Sequence, residues 1–263
     1  MRRLAALLLL LLAAAAPIEG KAPPAPRPPA AKPEDLAEQL AMLAFDANPL
    51  WSIPARIALS RWAGPMRLFV FGRKEDRDDA QTAIRALSRP SGISMRLVAE
   101  HEVARAQPNA FLIVDEHLPE AFQGPLRGML RNAFLGDEAA IDGFIWGVVA
   151  TTPCWTLPVW TDETRLVLKA ALIGVDASLP RERSRACILR GLGGALGLLG
   201  PGAFLPGSAF APGIAAKPTR DDDRMLRTLY GRSLRPGMTR EEVHAAAAKA
   251  LAAARRKKPA PKP

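Results

Sequence analysis

Asp115, Glu116 and His117 follow one another in the sequence, at the end of an apolar run. The i, i+2 spacing of Asp115 and His117 at a strand end puts both on one face, where two ligands of a metal ion can sit. No third ligand is in view, and a solvated loop is the ordinary explanation of three such residues. The other histidines are His101 and His244; His244 falls in the first turns of an amphipathic helix, a surface position. A Ser-His-Asp triad is compatible with the composition, but no Gly-x-Ser-x-Gly elbow marks one. The two cysteines, Cys154 and Cys187, most simply form one disulfide in an oxidising compartment. Closing that loop contributes roughly 3–4 kcal/mol in the chain-entropy model. A catalytic thiol is the alternative and needs a basic partner; Arg185 and Arg190 are near in sequence, but no His is.

The elements that must position these groups centre on Ser184–Gly202, the longest apolar run after residue 33. From Cys187 to Gly202 it offers no acid, base or metal ligand except the thiol. Its glycines at 191, 193 and 194 resemble a dinucleotide fingerprint only in part. Leu196 stands where the third glycine belongs, and no acidic residue follows about 20 positions on to hold a ribose. Close helix packing through a small-residue face is the better reading. Arg190 and the short length also exclude a membrane span.

Strands are expected at Arg67–Phe71, Ser94–Val98, Ala110–Val114 and Leu166–Ile173. The first holds a continuous apolar run after Arg67, as for a strand covered on both faces. A helix opening at Asp76, Asp78 and Asp79 should run through Leu87, stopped by Pro90 and Gly92. Further helices are expected from Glu34 to before Asn48, over Leu126–Phe134, over Arg220–Tyr230, and from Thr239 to about Arg256. Thr219/Asp222 and Thr239/Glu242 form capping boxes for the last two. Ile141–Val149 reads as strand or buried loop. Strand, helix and strand in this order predict an α+β domain, a mixed sheet with packed helices and a helical C-terminal part.

Charge sits at the ends. The formal net charge is +10, yet ten of the 36 Lys and Arg lie in residues 1–33 and 255–263, against Glu19 alone. Residues 34–254 therefore carry a net +1, which removes the basic face a nucleic-acid binder needs. Arg2 and Arg3 followed by the apolar run Leu4–Ala16 read as an export signal, cleaved after Ala16 or Gly20. Residues 21–33 are a Pro/Ala-rich linker. Residues 34–254 read as one domain, and 255–263 as a basic tail able at most to bind polyanions weakly, since no aromatic is interleaved for base stacking.

The last third also resembles a known family. Cys187-Ile-Leu-Arg-Gly-Leu-Gly-Gly-Ala-Leu-Gly-Leu198, Ser208-Ala-Phe210, Asp223-Arg-Met-Leu-Arg-Thr-Leu-Tyr230 and Leu234-Arg-Pro-Gly-Met-Thr239 are similar in order and spacing to the bacterial domain of unknown function family 2927. Trp62-Ala-Gly-Pro-Met-Arg67 fits as well. That family comprises exported proteins of no established activity and itself resembles the metzincin metallopeptidases. Its pattern, Cys-x-x-Glu-Glu-x-x-Gln-x-Leu-Gly-Leu followed by Asn-Asp, places its polar positions on Arg190, Gly191, Gly194, Gly200 and Pro201 here. None keeps the residue of the pattern, Arg190 replacing an acid by a cation and the others carrying no polar side chain, while Leu196-Gly197-Leu198 remains. A zinc peptidase needs two His one turn apart on a helix, a third ligand and a Glu to activate water. The resemblance thus implies a metzincin-like fold without its catalytic groups or a cofactor, acting by binding an unidentified protein or envelope component. A hydrolase built on Asp115, Glu116 and His117 is the alternative.

Overall fold

The computed structural model describes residues 32–161, 164–201, 207–211, 213 and 215–256. The signal-like stretch 1–20, most of the linker and the tail from 257 lie outside the described residues. Helix α1 (Pro33–Phe45) leads through a 3-10 turn at Pro49–Trp51 to the two-residue strand β1 (Arg61–Trp62). Then come β2 (Met66–Phe71), α2 (Lys74–Ser91), β3 (Met95–Leu97), the short α3 (Val103–Ala106) and β4 (Ala110–Asp115). Three short helices follow, α4 (Leu118–Gln123), α5 (Arg127–Ala133) and α6 (Glu138–Phe144), the last running into a π-turn at Ile145–Val149. The hairpin β5 (Cys154–Trp160) and β6 (Val167–Asp176) precedes α7 (Arg181–Ala195), α8 (Arg220–Leu229) and α9 (Arg240–Arg256).

The sheet order is β1-β6-β4-β2-β3, all parallel, and β5 runs antiparallel to β6. Strands covered on both faces read as apolar runs, and β2, β4 and β6 do, with only Arg67 and Lys169 interrupting them. Leu68, Val70, Leu112, Val114, Ala171, Ile173 and Val175 face a core shared with α1, α2, α7, α8 and α9. Ile113, Leu172 and Trp155 face a second core under α4, α5 and α6. There Trp155 meets Phe122 and Phe144 edge-on, with ring centroids 5.5 and 5.2 Å apart.

The mixed sheet with packed helices is as expected, and four of its strands lie where the apolar runs put them. Three local readings change. Pro90 lies inside α2, which ends one residue later on Gly92 in the left-handed conformation at φ 70°. A proline that late in a helix removes only one of the final backbone bonds. Ile141–Val149 is neither strand nor loop but helix; the Asp137 side chain caps α6 by accepting from the Ala140 N–H at 3.0 Å. Strand β5 lies outside the expected strands, and Pro153 and Pro158 disguise it in the sequence. Pro158 is tolerated because β5 pairs only with β6, as an edge strand does.

Helix α7 is buried nearly all round, which is why it lacks a polar stripe. It ends at Leu196, where Gly197 adopts φ 103° and passes so near the Ser60 carbonyl that a Cβ would lie 2.8 Å from it. No described helix is long and apolar enough to cross a membrane.

Candidate functional site

Cys187, Arg190, Gly191 and Gly194 recur every three or four residues and share the face of α7 that meets β5. Cys187 bonds to Cys154 with the Cα atoms 5.7 Å apart, a usual span, so the disulfide rivets the helix to the first residue of β5. One turn on, Gly191 lets the helix backbone settle against the sheet. A Cβ there would lie 2.5 Å from Ile173 Cγ2, and its carbonyl accepts from the buried Thr156 hydroxyl at 3.2 Å. At Gly194 a Cβ would stand 3.1 Å from the Trp51 ring and 3.2 Å from Thr156 Oγ1. On the opposite side, Gly193 receives Phe210, 2.5 Å from the position of an added Cβ. The glycines thus serve helix packing.

Arg190 is the one polar side chain in this face. Its Nη2 donates to Cys154 Sγ at 2.9 Å, and its guanidinium carbon lies 5.4 Å from the centroid of the Trp51 ring. Trp51 is in turn anchored by its indole N–H, which donates to the Cys154 carbonyl at 3.0 Å. Arg190 Nε is buried with no acceptor, and desolvation pulls the guanidinium below its ordinary pKa. Beyond the helix, Gly200 donates its N–H to the Leu43 carbonyl at 2.8 Å and sits so close to α1 that a Cβ would fall 2.2 Å from the Met42 carbonyl oxygen. Pro201 follows at the edge of the described segment.

The catalytic set implied by the metzincin resemblance does not fit this donor set. A cation, a packed glycine at 191 and another at 194 offer no ligand and no base, and the glycines have no room for a longer side chain. Among the described residues no group of three or more His, Cys, Asp or Glu is placed to hold a metal ion.

Asp115, Glu116 and His117 do come together, on a cleft of about 320 Å³ at the carboxyl end of β4. Glu120, Thr151, Thr152 and Asp176 line it too. Asp115 and Asp176 are paired in register on the neighbouring strands β4 and β6. Each carboxylate accepts a backbone N–H two residues on, from His117 at 2.7 Å and from Ser178 at 2.8 Å, so both shape their own turns. His101 lies elsewhere, on a second cleft with Phe69 and Arg77, and His244 faces Glu38 at 3.7 Å.

Two contributors escaped the sequence reading. Asp176 ends a strand as Asp115 does, and that shared position was the available signal. Trp51 reads in the sequence as core or rim packing of an irregular segment, and nothing there ties it to Arg190, 139 positions away.

Residues 34–249 match the family described as a protein of unknown function, DUF2927. The chain belongs to this family. No curated protein and no solved structure matches it. The family assignment made from the Cys187–Leu198 and Leu234–Thr239 segments stands on this match, and with it comes no activity.

Proposed function

We propose that this member of the DUF2927 family is an exported, non-catalytic protein of metzincin-like ancestry that acts by binding in the cell envelope. The observation that carries the reading is the packing of α7. Gly191 and Gly194 are pressed against Ile173, Thr156 and Trp51, so the acid and amide of the pattern cannot be accommodated at those positions without displacing core side chains. Export is supported by the charged and apolar pattern of residues 1–20 and by the Cys154–Cys187 bridge, which suits an oxidising compartment. The test is elemental mass spectrometry of the purified protein after dialysis without chelator. Less than a tenth of an equivalent of zinc is expected (an order-of-magnitude threshold for non-specific metal), with a thermal midpoint that a chelator leaves unchanged. About one zinc per chain, lost together with stability on chelation, overturns the reading.

A second reading rests on the cleft. Asp115 and Asp176, side by side at the carboxyl ends of parallel strands, occupy the place where open α/β sheets bind ligands. With His117 and Glu116 on the same cleft, acid–base hydrolysis is its natural chemistry. Hydrolytic activity abolished by both Asp115→Asn and Asp176→Asn favours it over the binding role; activity indifferent to both removes it.

A further inference from the structure

Among the described residues Arg190 is a charge largely withdrawn from water without a counter-charge. The arginines nearer the start of α7 are treated differently: Arg181 and Arg185 both pair with Asp79, at 3.6 and 2.9 Å. Arg190, deeper along the same helix, pairs with no carboxylate among the described residues. Of the internal stretches outside the described residues, 202–206, 212 and 214 contain no acidic residue, and Asp162 and Glu163 follow the last residue of β5, at the other end of that strand from Cys154. A guanidinium has five N–H donors, and here a single bond is made, to a disulfide sulfur, which is a weak acceptor. Attraction to the Trp51 ring offsets only part of the desolvation cost of a cation. Nε is shut off from solvent, but the side chain keeps part of its surface and Nη1 is not closed off in the same way, so an acceptor arriving from solvent can reach the Nη edge of the guanidinium.

We propose that Arg190 anchors a carboxylate-binding site beside Trp51, on the face of α7 that the disulfide fastens to β5. The planar fork of a guanidinium matches the two oxygens of a carboxylate. Charge fixes the class further. Arg190 is the sole ionisable side chain of α7 from Ala186 onwards apart from the bonded Cys187, and Trp51, Thr156 and the disulfide are neutral. One negative charge therefore balances the site, whereas a phosphate dianion leaves one in excess. The carboxylate of a small organic acid and the free terminus of a peptide share this chemistry. The site rests on the reading that the protein binds rather than catalyses, and gives that binding a location.

The experiment is calorimetric titration of the full chain with acetate, with an N-acetylated dipeptide bearing a free C-terminal carboxylate, with the corresponding dipeptide amide, and with inorganic phosphate. Saturable binding of the dipeptide acid and none of the amide is expected. Acetate binding as well identifies a site for carboxylates at large; binding of the dipeptide acid alone identifies one for peptide termini. Arg190→Met, which keeps the length without the charge, should abolish binding. Arg190→Lys, which keeps the charge without the fork, should weaken it roughly tenfold to a hundredfold, as for a lost charge-assisted hydrogen bond. Thermal midpoints of both variants show whether each is folded, and either one folded suffices. No saturable carboxylate binding by the parent chain overturns the site; so does phosphate bound more tightly than either acid, or unchanged affinity in a folded variant. Metal content is read separately. A zinc-free protein indifferent to carboxylates loses this site and keeps the non-catalytic reading, while stoichiometric zinc removes that reading whatever acetate does.

Discussion

Gly191 and Gly143 both lie inside helices, yet alanine should move them in opposite directions. At Gly143 in α6 nothing stands within 4 Å of an added Cβ. Replacing glycine there restricts the unfolded chain and should stabilise the protein by roughly 0.5–1 kcal/mol. The same gain is available at Gly191, but the methyl would sit 2.5 Å from Ile173 Cγ2, on a fully buried side chain in the middle of β6. Overpacking of that kind costs roughly 1–3 kcal/mol, so the clash wins. Urea midpoints of Gly143→Ala and Gly191→Ala should bracket the parent. A Gly191→Ala variant at or above the parent would mean that α7 is not pressed onto β6, and the case against a carboxylate at that position would weaken with it. Asp222 illustrates a different residue-scale device. Fully buried, it accepts from Ser208 Oγ and from the Ala209 and Thr219 N–H groups, and so ties the loop after α7 to the first turn of α8.

Between elements, the strongest single tie is the bridge from the start of β5 to α7. The cysteines are 33 positions apart, a loop whose closure is worth about 3–4 kcal/mol in the unfolded chain. Labelling of the denatured, unreduced protein should find no free thiol, and a Cys154→Ala/Cys187→Ala double variant should lose stability of that size. Two reactive thiols in material made in an oxidising compartment would refute the bridge. The elements themselves were legible to different degrees, for physical reasons. Strands β2, β4 and β6 announce themselves as apolar runs, interrupted only by Arg67 and Lys169, because they lie inside the sheet with the core packed against them. The boxes at Thr219 and Thr239 mark α8 and α9 because capping is local chemistry, here Thr219 Oγ1 accepting from the Asp222 N–H at 3.0 Å and Glu242 from the Thr239 N–H at 2.8 Å. Strand β5 is hidden because its Pro158 is permitted only by an edge position, which is a property of the whole sheet. At the site, Cys154 with Cys187 is legible because the chain has two cysteines and an export-like start. The setting of Arg190 is not, because it depends on a tryptophan from the far end of the chain.

On the scale of the whole molecule, one hydroxyl joins three separate parts of the fold. Tyr230, just past α8, donates to the Leu196 carbonyl at the end of α7 at 2.8 Å and accepts from the Trp62 N–H of β1 at 3.1 Å. Arg61 lies over the ring, 5.8 Å from its centroid, and donates to the Leu229 carbonyl at 3.0 Å. Burial raises the phenol above its ordinary pKa of 10.0, outweighing the opposing pull of the Trp62 N–H and of Arg61. A group whose folded value is raised contributes stability in full below its unfolded value and loses it as pH climbs through the folded value. The contribution of Tyr230 should therefore be constant up to pH about 10 and fall in more alkaline solution. Tyr230→Phe leaves two backbone groups without their partner and should cost roughly 1–3 kcal/mol near neutrality. Its stability should then decline less steeply than that of the parent above pH about 10, because the titrating phenol is gone. Tyr230 is also the single tyrosine of the chain, so phenolate absorbance reports on this hydroxyl alone. It should stay silent until alkaline unfolding begins and then appear together with the loss of helical circular dichroism. Phenolate forming well before unfolding, or parallel alkaline limbs for parent and variant, would mean that the hydroxyl does not join α7, α8 and β1 as described.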